Sequence, residues 1–324
     1  MSTTKWRVRT KLRASSLLAA TVMLVGVATA CQPPPPVPVL TVTVPVAGGD
    51  TNPGDGICEA TLSGTQCTLQ AAIQEANALG RANIVMPGGD YAAIDGHITG
   101  TVAMSIAPSY SGDMVYLDGV DLTIDEAATL VMTNISIGDK GPEASQHFEV
   151  HGNLMADRFH AGSYSPSLFT VSSTGRMLLQ NADLITTQAA VVNDGWVELR
   201  YSSIWSYAPG VITGAGGVTR MGGVALMTHE LHPDATNCGG TAPTSLGYNF
   251  ATDMTCGLGQ TGDVQGLSWA TVFNYNSGAA RVDKIPLNAI GCGTSTVVDM
   301  YGWTRPADGN ADGIAACDIG PYEQ

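Results

Sequence analysis

The stretch "FTVSSTGRMLLQNADLI", residues 169–185, decides the fold because its pattern occurs four times between residues 119 and 230. Each copy has a short apolar strand, a turn, a second strand, a polar bend and a third strand. The other copies are "LTIDEAATLVMTNISI" (residues 122–137), "FEVHGNLMADRFHA" (residues 148–161) and "AVVNDGWVELRYSSIW" (residues 190–205). The chain therefore contains an internal repeat of about 22 residues.

Three sets of residues mark this repeat. The turn glycines, spaced by 23, 20 and 22 residues, are Gly152, Gly175, Gly195 and Gly217. The aliphatic markers, spaced by 26, 21 and 21 residues, are Ile124, Val150, Val171 and Val192. The polar residues expected at the bend, ten positions after each aliphatic marker, are Asn134, His160, Asn181 and Ser202.

A constant coil length with three short strands is typical of a parallel β-helix, in which each coil hydrogen-bonds to the next. The rival is a β-sandwich, but that fold predicts hairpin signals between antiparallel neighbours and no fixed period. We therefore predict an all-β chain whose residues 81–236 form a single-stranded parallel β-helix. Residues 237–324 are expected to form a C-terminal region that contains disulfides.

One amphipathic helix interrupts the strand pattern, in "CTLQAAIQEANAL", residues 67–79. Its apolar stripe consists of Leu69, Ala72, Ile73, Ala76 and Leu79, and its outward residues are expected to be Gln70, Gln74, Glu75 and Asn77. An open end of a β-helix exposes both the core and unpaired strand edges. Residues 50–80 are therefore predicted to be an N-terminal cap.

Residues 1–30 have the features of a secretory signal peptide. The basic residues before an uncharged apolar run at 17–30 are Lys5, Arg7, Arg9, Lys11 and Arg13. The run is too short to span a membrane. Cys31 follows it directly and resembles the lipid-bearing cysteine of a bacterial lipoprotein, although residues 28–30 also fit ordinary cleavage. Residues 31–49 include four consecutive prolines and are predicted to be a stiff tether.

The exported part is strongly acidic. It holds nine of the 14 basic residues and all 28 acidic ones, so its net charge is −19. Such a surface repels nucleic acid and anionic membranes, and it can hold divalent cations. We expect no nucleic-acid partner, and membrane contact only through a lipid anchor, with the protein on the outer membrane or cell surface or else secreted.

Six cysteines remain after Cys31, an even number that predicts three disulfides in an oxidising compartment. Fifteen pairings are possible. Proximity in sequence favours the pairs Cys58 with Cys67, Cys238 with Cys256, and Cys292 with Cys317.

Both ends of the exported chain resemble known bacterial families. "DGICEATLSGTQCTLQAAIQEANAL" (residues 55–79) resembles the motif named for Cys-Ser-Leu-Arg-Glu-Ala, with Thr68, Gln70 and Ala71 in place of its Ser, Arg and Glu. "NIVMPGGDY" (residues 83–91) is similar to the coil that follows that motif. "CGGTAPTSLGYNFATDMTCGLGQTGDVQG" and "RPADGNADGIAACDIGPYE" (residues 238–266 and 305–323) resemble the tail of choice-of-anchor Q proteins, with Pro321 where Ala is usual. The resemblance implies a right-handed parallel β-helix on a bacterial surface and implies no reaction.

The strongest metal candidate lies near the C-terminus. Asp308, Asn310 and Asp312 match the first half of a calcium-binding loop, and Asp318 is a candidate for the missing closing carboxylate. The alternative is a solvated turn. No other cofactor is indicated.

Two further patterns bear on binding. If Ile204 faces inward, then Tyr201, Trp205 and Tyr207 lie on the outer surface, where their rings can stack on sugars; the opposite phase buries them. Arginines occur about once per coil, but their offsets from the coil glycine differ, which predicts that they do not share a face. These residues are Arg158 (+6), Arg176 (+1), Arg200 (+5) and Arg220 (+3).

No catalytic residue is assigned. Asp125, His151 and Ser172 are expected in one column, in the order of a hydrolase triad, but polar stacking explains them equally. Asp157 and Asp183 are candidate paired carboxylates. The predicted function is noncatalytic binding or adhesion, with a polysaccharide or another cell-surface component as partner. The alternatives are a polysaccharide lyase or glycoside hydrolase and a structural envelope protein.

Overall fold

The computed structural model describes residues 35–60, 66–106, 115–138, 146–228, 235–268, 298–307, 315 and 317–322. All its helices and strands lie within the unit Val37–Gln324. The helix is α1 (Leu69–Leu79). The strands are β1 (Val39–Thr41), β2 (Arg81–Met86), β3 (Gly89–Tyr91), β4 (Ile94–Ile98), β5 (Thr101–Ile106), β6 (Val115–Leu117), β7 (Val120–Ile124), β8 (Thr129–Ile137), β9 (Gln146–Val150), β10 (Asn153–Ser163), β11 (Ser167–Val171), β12 (Arg176–Thr186), β13 (Ala189–Asn193), β14 (Trp196–Arg200), β15 (Ser203–Ser206), β16 (Val211–Thr213), β17 (Val218–Gly222), β18 (Ala225–Thr228), β19 (Cys238–Gly240), β20 (Thr244–Ser245), β21 (Phe250–Ala251) and β22 (Val264–Gln265).

These strands form a parallel β-helix of about six turns, which confirms the predicted fold class. Every pair of named strands is parallel, and each coil pairs with the coil before and after it; β10, for example, pairs with both β8 and β12. A sheet of seven strands and a sheet of fifteen strands build the structure. The β-sandwich alternative is excluded because its strands would pair as antiparallel hairpins.

Each coil contributes to three faces. The first face contains β2, β5, β14, β17, β20 and the N-terminal halves of β8, β10 and β12. The second face contains β6, β15, β18 and the C-terminal halves of the same long strands. The third face is the seven-stranded sheet, in the order β19-β16-β13-β11-β9-β7-β4.

The turn glycines are required because neighbouring coils approach there too closely for a side chain. A Cβ atom on Gly175 would lie 2.0 Å from the backbone oxygen of Val150, and one on Gly195 would lie 2.2 Å from that of Ser172. Gly152 and Gly217 show the same backbone conflict, at 2.2 Å and 2.3 Å. The predicted glycine repeat is thus confirmed, with steric exclusion as its cause.

The bend between the first and second faces is a column of left-handed residues. Its members with positive φ are Asn134 (60°), Arg158 (53°), Asn181 (50°) and Tyr201 (44°). The two asparagines were predicted correctly, and asparagine tolerates this conformation well. The predictions of His160 and Ser202 were wrong by two residues and one residue, because Arg158 and Tyr201 occupy the bend although neither favours it.

The aliphatic column also departs from the prediction at its fourth member. Ile124 pairs with Val150, and Val150 with Val171, but Val171 pairs with Asn193 rather than Val192. Asn193 is buried, and its amide donates to the Val218 backbone oxygen at 3.0 Å. A fully hydrogen-bonded asparagine therefore continues the inward column.

Apolar side chains that alternate along each strand fill the interior. Phe148 and Phe169, from β9 and β11, stack with their ring centroids 5.1 Å apart, and Phe159 from β10 lies 5.9 Å from Phe169. All three rings are fully buried. A buried phenylalanine contributes roughly 1.5–3 kcal/mol through removal from water, so this trio stabilises the middle coils.

Helix α1 caps the N-terminal end as predicted. Its Thr68 N-cap oxygen accepts from the Ala71 amide at 3.1 Å, and Gly80 ends it in the left-handed conformation. Asn77 donates to the His97 backbone oxygen at 2.6 Å, and the Thr99 amide donates to Asn77 at 2.9 Å. These bonds satisfy backbone groups on the edge formed by β4, the first strand of the third face.

The predicted orientation of Glu75 was wrong. Its side chain is fully buried rather than solvated. The carboxylate accepts hydrogen bonds from the backbone amides of Gly54 and Gly56, the latter at 2.5 Å. Glu75 therefore holds the loop that precedes Cys58, because a buried carboxylate needs donors to offset its lost hydration.

The disulfides Cys58–Cys67 and Cys238–Cys256 are present, as predicted. Cys317 is also disulfide-bonded, whereas its predicted partner Cys292 lies outside the described residues. Parallel pairing continues beyond residue 236 through β19, β20, β21 and β22. The coils thus extend into the predicted C-terminal region.

Candidate functional site

Residues 298–307 and 317–322, here called the C-terminal segment, lie on the outside of the bend column. The Asn181 amide donates to the Val298 backbone oxygen at 3.1 Å. The Arg305 guanidinium lies 4.8 Å from the centre of the Tyr201 ring. The Gly320 amide donates to a backbone oxygen of the next coil, on Gly223, at 2.8 Å. The segment therefore crosses three successive coils.

At the edge of this segment, a cluster of polar side chains surrounds Asp183 on the second face. His160, Asp183 and Ser203 are paired neighbours in three successive coils. His160 Nδ1 lies 3.4 Å from Asp183 Oδ2, and the Ser203 hydroxyl donates to Asp183 Oδ1. From the C-terminal segment, the Tyr322 hydroxyl donates to Asp183 Oδ2 at 3.0 Å. One carboxylate thus connects three coils to the end of the chain.

The electrostatics keep Asp183 ionised and Tyr322 neutral. Burial alone would raise the pKa of Asp183, but the hydrogen bond and charge of His160, with hydrogen bonds from Ser203 and Tyr322, hold it below its ordinary value. Burial, followed by the negative charge of Asp183, raises the pKa of Tyr322 well above its ordinary value. The Tyr322–Asp183 contact is therefore a charge-assisted hydrogen bond at neutral pH.

Exposed aromatic rings stand beside this cluster. Val298 and Thr304 form an antiparallel bridge, and the turn between them presents Tyr301 and Trp303, each 63% exposed. The Tyr301 ring packs on Tyr322 with centroids 5.0 Å apart. The Trp303 amide donates to Asp299 at 2.8 Å, which fixes the turn. We call Tyr301 and Trp303 the aromatic turn.

The predicted aromatic residues have a different arrangement. Ile204 faces inward as expected, and Trp205 and Tyr207 are half-buried on the second face. Tyr201 was expected on the outer surface with them, but it is only 3% exposed because it occupies the bend beneath Arg305. Tyr201 therefore offers no ring to a ligand, and its role is to hold the C-terminal segment.

Sequence reasoning missed the aromatic turn. Its signal is "DMYGWT", residues 299–304, where two aromatics flank a glycine and an aspartate precedes them. Gly302 has a φ of 87°, as a tight turn requires.

Three of the four predicted calcium ligands, Asp308, Asn310 and Asp312, lie outside the described residues. Asp318 is described; it is half-buried, and its backbone oxygen accepts from Arg305 at 3.3 Å. Within the described ranges, no three His, Cys, Asp or Glu side chains are grouped to hold a metal ion. Calcium binding and the lipid anchor at Cys31, which lies in the undescribed range 1–34, stay predictions.

The candidate catalytic groups have structural partners. The Asn181 amide donates to Asp157 at 2.9 Å, while Asp183 accepts from the three groups described above. The column Asp125, His151 and Ser172 is in register, yet His97 contacts Asp125 at 2.9 Å and Glu149 contacts His151 at 3.1 Å. The geometry needed to activate a serine through histidine is therefore not formed by these residues.

The prediction that the arginines do not share a face was wrong for three of them. Arg176 pairs with Trp196, Gln180 with Arg200, and Glu198 with Arg220, all on the first face. The offsets +1, +5 and +3 are all odd, and alternate residues of a strand point to the same side. The fourth arginine, Arg158, lies at the bend.

The fold and these surfaces define a helix-capped parallel β-helix protein that carries an aromatic turn and an arginine-bearing face. No family model, curated protein or solved structure matches the chain. Across the described ranges, no helix combines the length and apolar character needed to cross a membrane.

Proposed function

We propose that this protein is an exported, surface-located binding protein that attaches noncatalytically to glycans through its aromatic turn. The observation that carries the proposal is the 63% exposure of both Tyr301 and Trp303 on an anchored turn. Flat aromatic rings stack on the apolar faces of sugar rings while their polar edges stay in water.

Anchoring makes these rings effective contacts. The turn is held by the Val298–Thr304 bridge, by the Asp299 side chain and by Tyr301 stacking on Tyr322. Tyr322 is in turn hydrogen-bonded to Asp183, whose side chain is half-buried. A preorganised ring loses little conformational freedom when a ligand binds, so more of the contact energy appears as affinity.

A cell-surface location is part of the proposal. The signal-like residues 1–30, the proline run at 33–36 and the disulfides support export. The prediction of a tether over 31–49 was wrong from Val39 onward, because β1 pairs with β2 and Leu40 and Val42 are buried in the core. The family resemblance at both ends of the exported chain supports a bacterial surface. A lipid on Cys31 would place the β-helix outside the membrane at the end of the tether.

The test compares binding of the full chain to neutral and acidic polysaccharides by isothermal titration calorimetry. The double variant Tyr301→Ala/Trp303→Ala is expected to weaken binding about 5- to 150-fold, because two ring contacts of roughly 0.5–1.5 kcal/mol each are lost. Both side chains are mostly exposed, so the melting temperature should fall only slightly, through loss of the Tyr301–Tyr322 ring contact.

The matched control is Tyr164→Ala, which removes another exposed aromatic ring, in the turn between the second and third faces. It should bind like the unmodified protein. Equal affinity of the double variant and the unmodified protein would refute the role of the aromatic turn. New reducing ends or unsaturated products during incubation would instead show a glycoside hydrolase or polysaccharide lyase.

A further inference from the structure

The first face concentrates positive charge on an otherwise acidic protein. Of the nine basic residues in the exported part, four lie on this face, the first of them being Arg81 in β2. The other three are on three successive coils, namely Arg176, Arg200 and Arg220. Together with Glu198 they leave a charge of +2, while the rest of the exported chain carries −21. We call Arg176, Trp196, Glu198, Arg200 and Arg220 the arginine face.

Glu198 holds two of these guanidinium groups in fixed positions. It is only 2% exposed and receives Nε and Nη2 of Arg200 on Oε1, and Nη1 of Arg220 on Oε2 at 3.2 Å. A guanidinium carries five N–H donors in a planar fork, so both arginines keep donors for a second anion. The side chains remain 35% and 41% exposed.

The spacing of the arginines fits an extended ligand. Adjacent coils lie about 4.8 Å apart, and alternate residues of a strand about 6.7 Å apart. From the strand pairings, the attachment points of the three arginines are therefore about 8–14 Å from one another. Charges spread in this way over a sheet suit a polymer with repeated anionic groups better than one small anion.

Apolar surface lies between the charges. Trp196 is half-buried and pairs with Arg176 on one side and with the exposed Val218 on the other. Met155, also exposed, is two coils before Glu198 in the same column. Sugar rings have apolar faces, whereas a small inorganic anion would make no use of this surface.

We infer that the arginine face binds a polyuronate chain, with Arg176, Arg200 and Arg220 receiving its carboxylates and Glu198 acting as a positioning residue. This inference rests on the proposed glycan-binding function and adds an acidic class of glycan, bound at a separate face. Guanidinium forks match carboxylates geometrically. The negative charge of the remaining surface opposes every polyanion, and it opposes the phosphates of duplex nucleic acid more strongly than a polyuronate with one carboxylate per sugar.

The test measures binding of the full chain to alginate, with a chelator present so that calcium bridges do not contribute. Arg176→Gln/Arg220→Gln should weaken binding at least about 10-fold and reduce its salt dependence. Arg200 is left in place so that Glu198 keeps a partner. The control is Arg81→Gln, which removes one positive charge from the column of Arg176, four coils before it. It should have little effect on alginate binding.

A second variant separates positioning from net charge. Glu198→Gln makes the arginine face more positive, so a diffuse charge effect predicts tighter binding. The positioning role predicts binding that is weaker by several-fold, because both guanidinium groups lose their fixed partner. Tighter alginate binding by this variant would overturn the positioning role.

Three results would overturn the inference as a whole. They are equal losses in the arginine double variant and in Arg81→Gln, unchanged alginate binding in the double variant, and equal affinity for single-stranded DNA and alginate. The proposed function can fail separately, because Tyr301→Ala/Trp303→Ala tests it with neutral glycans. Suppose that Tyr301→Ala/Trp303→Ala loses binding to neutral glycans while Arg176→Gln/Arg220→Gln binds alginate normally. The proposed function would then be supported and this inference would be refuted.

Discussion

Replacing Gly217 by alanine should destabilise the β-helix, whereas the same change at its neighbour Gly216 should not. A Cβ atom on Gly217 would lie 2.3 Å from the backbone oxygen of Asn193 in the preceding coil. On Gly216 the nearest atom would be the backbone oxygen of Asp194, at 3.8 Å. The two residues share one turn, so the pair isolates the effect of coil spacing.

The magnitude follows from the movement that alanine at Gly217 would require. Carbon and oxygen approach to about 3.3 Å, so the coils must separate locally by about 1 Å. The adjacent ladder bond, from the Val218 amide to the Gly195 oxygen, is 2.7 Å long and would exceed hydrogen-bonding range or bend strongly. Overpacking of about 1–3 kcal/mol and a lost buried bond of about 1–3 kcal/mol give a total loss of stability of roughly 2–6 kcal/mol.

Thermal unfolding followed by circular dichroism measures this difference. Gly217→Ala should melt roughly 10 °C lower than the unmodified protein. Gly216→Ala should melt at the same temperature or slightly higher, because alanine reduces the freedom of the unfolded chain. Equal melting temperatures for the two variants would refute the argument that the repeat glycines exist to let backbones approach.

Other predictions concern the C-terminal segment, the cap and the anchor. The pKa of Asp183 is lower in the folded state, so ionised Asp183 stabilises the fold above its unfolded pKa of about 3.9. This stabilisation is lost as the pH falls through the folded pKa, and a titration of the free energy of unfolding with acid should show the loss. The pH dependence should be absent in Asp183→Asn. Tyr322→Phe should cost about 1–3 kcal/mol and speed proteolysis of the C-terminal segment, and unchanged proteolysis would contradict its anchoring role. Glu75→Gln should accelerate hydrogen exchange at residues 54–56, with the rest of the β-helix as internal reference. Cys31→Ser should shift the protein from the membrane to the soluble fraction, and continued membrane association would argue against the lipid anchor.

The fold could be predicted because it depends on local periodicity. The glycine spacing reports the coil length directly, since each glycine meets the backbone of the preceding coil. The helix could also be predicted, because its apolar residues recur at i, i+3, i+4 and i+7. Its ends at Thr68 and Gly80 were not predicted, although both residue types favour helix ends.

Residues that occupy positions against their preferences could not be placed in this way. Arg158 and Tyr201 adopt left-handed conformations that their side chains do not favour, so the polar-bend pattern selected neighbouring residues instead. Asn193 is a buried amide in a column of aliphatic residues, and only its hydrogen bonds to the next coil explain it.

The two proposed binding surfaces differ in how far they could be predicted from the sequence. The arginine face could have been predicted from the sequence, because odd offsets from the coil glycine place side chains on the same side of a strand. The aromatic turn has a local signal in residues 299–304, but its anchor does not, because the anchor joins Tyr322 to Asp183 across 139 residues. No local pattern encodes a contact of that range.

The C-terminal segment packs on earlier coils, and this changes the expected order in which the coils of this solenoid unfold. In a stack where each repeat touches only its neighbours, terminal repeats can fray one at a time. Here the last described residues join coils that contain Asn181, Asp183 and Gly223, over separations of up to 139 residues. Peeling the final coils from the end therefore first requires breaking contacts in the middle of the stack, so loss of structure at the C-terminus should be an all-or-none event that spans several coils.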